Sequence, residues 1–110
     1  MRWYDKIIAS HTAVLPDVSH YERMKSSRYL VWQEYDRDDL IAESAHRERV
    51  VIGTTDLFTK TEFDQAAEAL EESMTAHGIA WEKTSVQYED ETGFIHHEWT
   101  WEVTDGKSDG

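Results

Sequence analysis

Residues 60 to 79 read KTEFDQAAEALEESMTAHGI, the clearest stretch of helical period in the chain. Phe63, Ala66, Ala67, Leu70, Met74 and His77 fall on one stripe, spaced three and four apart as the buried face of an amphipathic helix requires. Thr61 is a candidate N-cap, with Asp64 three residues on, where a capping box prefers Glu or Gln. Glu62, Asp64 and Glu68 favour the positive end of the helix dipole, and Gly78 is placed to close the last turn in left-handed geometry. The spacing therefore predicts a helix over about 62–77. On both sides of it the pattern changes to strand character, and that change sets the fold class.

Before the helix, "RYLVWQEYD" (28–36) and "HRERVVIGTTDLFT" (46–59) are rich in aromatic and β-branched residues and read as strands, while "DVSHYERM" (17–24) alternates more weakly. After it, "IAWEKTSVQYED" (79–90) and "FIHHEWTWEV" (94–103) read as two more strands joined by a turn at "ETG". At the start, Trp3, Tyr4, Ile7 and Ile8 share one helical face opposite Arg2, Asp5 and Lys6, so a short helix runs to about Ala13 and stops before Pro16. Strands arranged in hairpins rather than alternating singly with helices predict an α+β fold. It has a mainly antiparallel sheet of about four to five strands, with the long helix and the short N-terminal helix on one face. The length suits one domain over 1–103, and the polar tail 104–110 is expected to be disordered. The acidic connection 36–45 makes a hairpin tip longer than the usual two to five residues, a length that is commonly functional or disordered.

The formal net charge of −12 argues against binding nucleic-acid backbone or an anionic membrane, since both require positive charge. Without cysteine the chain has neither disulfides nor thiolate metal sites. No apolar run approaches the ~20 residues of a membrane span. Asp5 and Lys6 interrupt the opening stretch before it reaches signal-peptide length, so synthesis in a cytoplasm is expected.

His96 and His97 invite a metal reading. In a strand, however, successive side chains point to opposite faces. Ile95, His97, Trp99, Trp101 and Val103 then share one face, and Phe94, His96, Glu98, Thr100 and Glu102 the other. Only His96 and Glu98 are candidate metal ligands, and they need a third from a neighbouring strand; a half-buried strand is the simpler reading. His11, His20, His46 and His77 form no ligand spacing, and there is no phosphate-binding glycine loop or nucleophile elbow. Carboxylates such as Asp38–Asp39 and Glu89–Asp90–Glu91 are too abundant for adjacency to indicate acid–base chemistry. Trp32, Tyr35, Trp81, Tyr88, Trp99 and Trp101 lack the interleaved basic residues of a base-stacking platform and are read as core or sheet-face positions, with a protein interface the other use for such rings.

Several steps along the chain resemble the small tail-completion (tail-terminator) proteins of long-tailed bacteriophages and prophages. A strand ends in Asp56-Leu57-Phe58-Thr59-Lys60, with Phe58 where tyrosine is more usual. An acidic amphipathic helix follows, then Gly78-Ile79-Ala80-Trp81 leading into a strand, and a last strand rich in aromatics and acids from Thr100 to Val103. "VLPDVSHYER" and "YLVWQEYDRDD" resemble the upstream part, so the likeness covers about residues 14–103. The resemblance implies a structural protein of the virion tail, with no enzyme activity and no cofactor. Such a protein sits as a ring, commonly hexameric, on the head-proximal end of the tail tube. Its partners are its own copies, the major tail tube protein and a head-completion or connector protein, and it binds no specific nucleic acid and no membrane. The ring can form on the tube end, so a monomer in free solution is compatible with it. In that setting Asp36, Asp38, Asp39 and Glu43 are expected to face the lumen or a neighbouring subunit, the alternative being a simply solvated loop.

Two other classes share the size and charge. An acidic DNA-mimic inhibitor would space its carboxylates along one exposed face, whereas these acids are spread over helix, loops and strands. A small metal-binding enzyme would use His96 and Glu98.

Overall fold

A computed structural model describes residues 2–38 and 50–105, with Asp36, Arg37 and Asp38 described by their backbone alone. The expected tip residues beyond position 38 and the tail beyond 105 lie outside the described residues. In chain order the elements are α1 (Trp3–Thr12), β1 (Val18–His20), β2 (Arg28–Asp38), β3 (Val50–Thr59), α2 (Gln65–Ala76), β4 (Ala80–Tyr88) and β5 (Ile95–Thr104). One five-stranded sheet runs β1-β2-β3-β5-β4. Among the described residues the β1–β2 pair is parallel and the other pairs are antiparallel. This is the expected α+β architecture.

Alternation along the central strands sorts the side chains between two faces. Val51, Thr55, Leu57 and Thr59 of β3 point to the helical side with His97, Trp99, Trp101 and Val103 of β5. Both helices cover that side. Ile7 and Leu15 from the N-terminal segment and Ala66, Ala67, Leu70 and Met74 from α2 join Leu30, Leu57, Trp99 and Trp101 in one core. The opposite face holds a smaller cluster of Tyr29, Val31 and Phe58, covered by Met24 and Phe94. Gly53 sits where Trp101 crosses β3. A Cβ there would meet the indole carbons at 2.5 Å, so only glycine allows the ring to lie flat on the strand.

Inside the core, polar groups form a continuous relay. Ser10 Oγ donates to the Ile7 carbonyl (2.9 Å), so it must accept from His11 Nδ1 (3.0 Å). His11 Nε2 is then the acceptor for the Thr55 hydroxyl (2.8 Å), and Thr55 Oγ1 in turn accepts from Trp101 Nε1–H (2.8 Å). Every donor has one acceptor, and the imidazole is fixed neutral with its proton on Nδ1. Burial of His11 lowers its pKa from 6.5 to about 4. Ser73 Oγ donates to the Ser10 carbonyl (2.7 Å) and fastens α2 to the same point.

The α2 start differs from the sequence expectation. The N-cap is Asp64, not Thr61, and the helix begins at Gln65 rather than at 62. Asp64 is buried and accepts from Ala66 N (2.8 Å), Thr59 Oγ1 (2.6 Å), Arg28 Nε (2.9 Å) and Arg28 Nη2 (2.7 Å). A carboxylate that also pairs with a guanidinium is a far stronger cap than a lone hydroxyl, and this tertiary contact moves the boundary. The Arg28 hydrogen bonds hold the Asp64 carboxyl down at about 2. Phe63 is consequently not on the buried stripe. It is 90% exposed with φ +55°, a left-handed conformation that costs an L-residue roughly 1–2 kcal/mol. His77 caps the other end instead of lining the stripe. Ile79 N donates to Met74 O (2.9 Å) and Gly78 N to Thr75 O (3.0 Å), with Gly78 at φ +77°, the Schellman closure anticipated from Gly78. In α1 the face is narrower than expected. Ile7 is buried, but Tyr4 and Ile8 are 40% and 41% exposed.

Thr55→Val keeps the shape of the side chain but orphans both the Trp101 indole N–H and His11 Nε2, and should cost roughly 2–4 kcal/mol in urea unfolding. Between pH 6.5 and about 4 the unfolded chain protonates His11 and the folded chain does not, so stability falls with acidification over that window. The shift corresponds to about 3 kcal/mol. His97, lowered by burial, acts in the same direction, whereas His96, raised, changes stability only above pH 6.5. Urea midpoints across the window, with the His11 imidazole followed by NMR, check both sign and assignment.

Candidate interaction surfaces

α1 lies beside the β1–β2 edge of the sheet, and between them runs a groove of about 460 Å³. Trp3, Tyr4 and Ile8 form its helical wall, and Val18, His20 and Trp32 its strand wall. The parallel pairing of β1 with β2 sets His20 opposite Trp32. The imidazole stacks on the indole at 3.8 Å, and Tyr21 stacks on the imidazole at 3.8 Å. Tyr21 reaches that position only because its backbone is left-handed, with φ +76°. Its hydroxyl donates to Glu34 Oε2 (2.9 Å), while His20 Nε2 meets Glu34 Oε1 (2.8 Å). Burial opposes ionisation of Glu34, but the hydrogen bonds from His20 and Tyr21 outweigh it and its pKa lies below the ordinary value. The groove is thus an apolar slot with a hydrogen-bonded polar cluster and a left-handed backbone residue beside it.

At the other edge, α2 and β4 enclose a groove of about 580 Å³ lined by Glu68, Glu71, Glu72, Thr75, Ala76 and Trp81. Trp81 Nε1 donates to Thr75 Oγ1 (2.9 Å) and Trp99 Nε1 to Glu71 Oε2 (2.9 Å). Residues 61–91 carry nine acids and one lysine. The acids that line the groove, Glu68, Glu71 and Glu72, all come from α2, while β4 itself carries one acid, Glu82, and one lysine, Lys83.

The adjacent histidines lie on opposite faces, as the strand period requires. His97 faces the core, 7% exposed, with Nδ1 at 3.0 Å from Lys83 Nζ and Nε2 buried without a partner. His96 faces the open side. Its Nε2 pairs with Asp56 Oδ1 (2.8 Å) and its Nδ1 lies 3.5 Å from Glu89, while the ring stacks on Phe58 at 4.4 Å. The Asp56 hydrogen bond raises the His96 pKa despite partial burial. Glu98 shares that face and lies 3.4 Å from the Ser85 hydroxyl. His96 is thus engaged by the Asp56 carboxylate, and among the described residues no group of three or more His, Cys, Asp or Glu is arranged to hold a metal. Of the loop acids, Asp36 and Asp38 stand in the β2–β3 ladder opposite Ile52 and Val50, beyond a register shift after Glu34. Asp39 and Glu43 lie outside the described residues.

Trp32, Trp99 and Trp101 are core residues as read from the sequence, whereas Tyr35 and Tyr88 are 59% and 64% exposed. The sequence reading missed the His20–Tyr21–Glu34 cluster and the exposed Phe63. Neither has a local signal, because the first depends on parallel strand pairing and the second on capture of Asp64. Asp56→Asn should lower the His96 pKa, measured by NMR titration. Since a raised histidine stabilises the fold below pH 6.5 and loses that contribution as pH rises through the folded value, the variant should also flatten the stability change there.

No protein-family model matches the chain, and no curated protein matches it either.

Proposed function

We propose that this chain is a phage or prophage tail-completion protein that caps the head-proximal end of the tail tube as a ring. The observation that carries the reading is the apolar groove at one sheet edge, set against an acid-lined groove between α2 and β4 on the other side of the same small domain. Different patches on opposite edges suit heterologous contacts, which close into rings when the rotation permits. Aromatic-rich surface with few charges at its centre is the composition of protein interfaces. The net charge of −12 keeps such a ring from gripping DNA that passes through it. In this reading the β2–β3 tip, with Asp36, Asp38, Asp39 and Glu43, lines the lumen or touches the adjacent subunit, and the tail tube and head connector proteins are the other partners. No helix among the described residues is long and apolar enough to cross a membrane.

Tails assembled in a deletion phage should be overlong and unjoined by electron microscopy, with normal length restored by the wild-type chain. Charge reversal at Asp36, Asp38, Asp39 and Glu43 should leave the monomer folded by circular dichroism and lower infectivity. Normal tails without the protein would overturn the reading; full infectivity of the reversed variant would remove the role given to the tip.

A further inference from the structure

The groove between α1 and the β1–β2 edge presents two chemistries side by side. Trp3, Tyr4, Ile8, Val18 and Trp32 give it apolar walls, and Tyr4 and Ile8 are 40% and 41% exposed. Glu34 lines the same space, and the lining contains no Lys or Arg. Burial opposes ionisation of Glu34, but the hydrogen bonds from His20 and Tyr21 prevail, so the group is a carboxylate at neutral pH. Each oxygen accepts one of those bonds and has a second lone pair left. Among the described residues no Lys or Arg pairs with it.

Apolar walls beside an ionised carboxylate complement a side chain with an aliphatic stem and a cationic head. Lys and Arg have that build, laying their methylenes on apolar surface while the head keeps a polar contact. Arginine is the better match. Its guanidinium is more weakly hydrated than an ammonium, stacks on aromatic faces and forks onto carboxylate oxygens. One wall already takes such a group, because the chain's own Arg2 stands over the Tyr4 ring at 5.7 Å. The ion-pair partner of Arg2 is Asp105 (3.9 Å), not Glu34. A net charge of −12 draws a basic partner toward this surface and repels a second copy.

We propose that the groove docks an arginine of a basic partner protein, with the stem along the α1 wall and the guanidinium on Glu34. The inference goes beyond the ring reading and does not rest on it, since it concerns the free chain.

Titration of the full chain at about pH 8, above the ordinary histidine range, with a short peptide bearing arginine between leucines tests the contact. NMR should show saturable shifts of the Trp3, Tyr4 and Ile8 side chains at millimolar peptide. The same peptide with citrulline, which keeps the shape and lacks the charge, should bind roughly tenfold more weakly, and the lysine peptide should also bind more weakly. Glu34→Gln should lower arginine-peptide affinity by about tenfold and leave the citrulline peptide unchanged. Tyr4→Leu should lower it about threefold through loss of the ring face. Glu102→Gln removes one charge at an exposed position elsewhere and should change neither affinity. Citrulline or lysine binding as tightly as arginine, an equal loss in Glu102→Gln, or no saturable shift would each overturn the assignment. Groove resonances that move with protein concentration alone would place a second copy there instead. The peptide comparison on the wild type decides the matter even if Glu34→Gln fails to fold. Overlong tails in the deletion phage together with a failed titration would reject the groove assignment alone, and the reverse would reject the ring alone.

Discussion

The Thr55 hydroxyl is shared between the Trp101 indole of β5 and the His11 imidazole of α1, and the rest of the fold is organised around that shared atom. It works because each group has one donor and one acceptor role left to fill. Ser10 Oγ accepts from His11 Nδ1–H and donates to the Ile7 carbonyl, and nothing in the relay is left over. A fully satisfied polar chain in an apolar core adds direction to packing that would otherwise tolerate sliding. Trp101 lies flat on Gly53 with its N–H aimed at β3, and α1 is seated at one rotation about its axis. That rotation places Ile7 in the core and leaves Tyr4 and Ile8 on the wall of the groove.

Asp64 is the second fixed point, and it works at the opposite end of β3. Its carboxylate gathers the start of β2 through Arg28, the end of β3 through Thr59 and the first turn of α2 through Ala66. One side chain thus performs helix capping and strand anchoring together. The ion pair is exposed on the arginine side and buried on the carboxylate side, so removal of the arginine would leave a buried charge unpaired. The same capture turns Phe63 outward. A helix beginning at 62, as its period suggests, would have placed that ring on the buried stripe.

The interaction surfaces follow from these two anchors more than from any motif. His20, Trp32 and Glu34 come together through the parallel register of a three-residue edge strand, and Tyr21 joins them through a left-handed backbone. His96 and Asp56 meet because β5 runs antiparallel to β3 and brings the two strands' outward side chains into neighbouring rows. Adjacent histidines in the sequence end in unlike environments, one paired with carboxylates on the open face and one pressed neutral against Trp99 and Lys83. A site search based on adjacency would join what the pleat separates.

What the sequence by itself determined is the order and type of the elements and the inward face of each strong one. Ala66, Ala67, Leu70 and Met74 declare the buried stripe of α2, and Gly78 its end, because helical period and left-handed closure are local properties. The alternation from Ile95 to Val103 assigns His96 and His97 to different faces for the same reason. Only the tertiary structure decided where α2 begins, which α1 residues stay outside, and how five strands order themselves as β1-β2-β3-β5-β4. Those choices depend on partners far apart in the chain: Arg28 for Asp64, Thr55 for His11, Glu34 for His20. Period and propensity act over one or two turns, whereas the capture of a buried polar group is settled by whichever distant partner completes its hydrogen bonds.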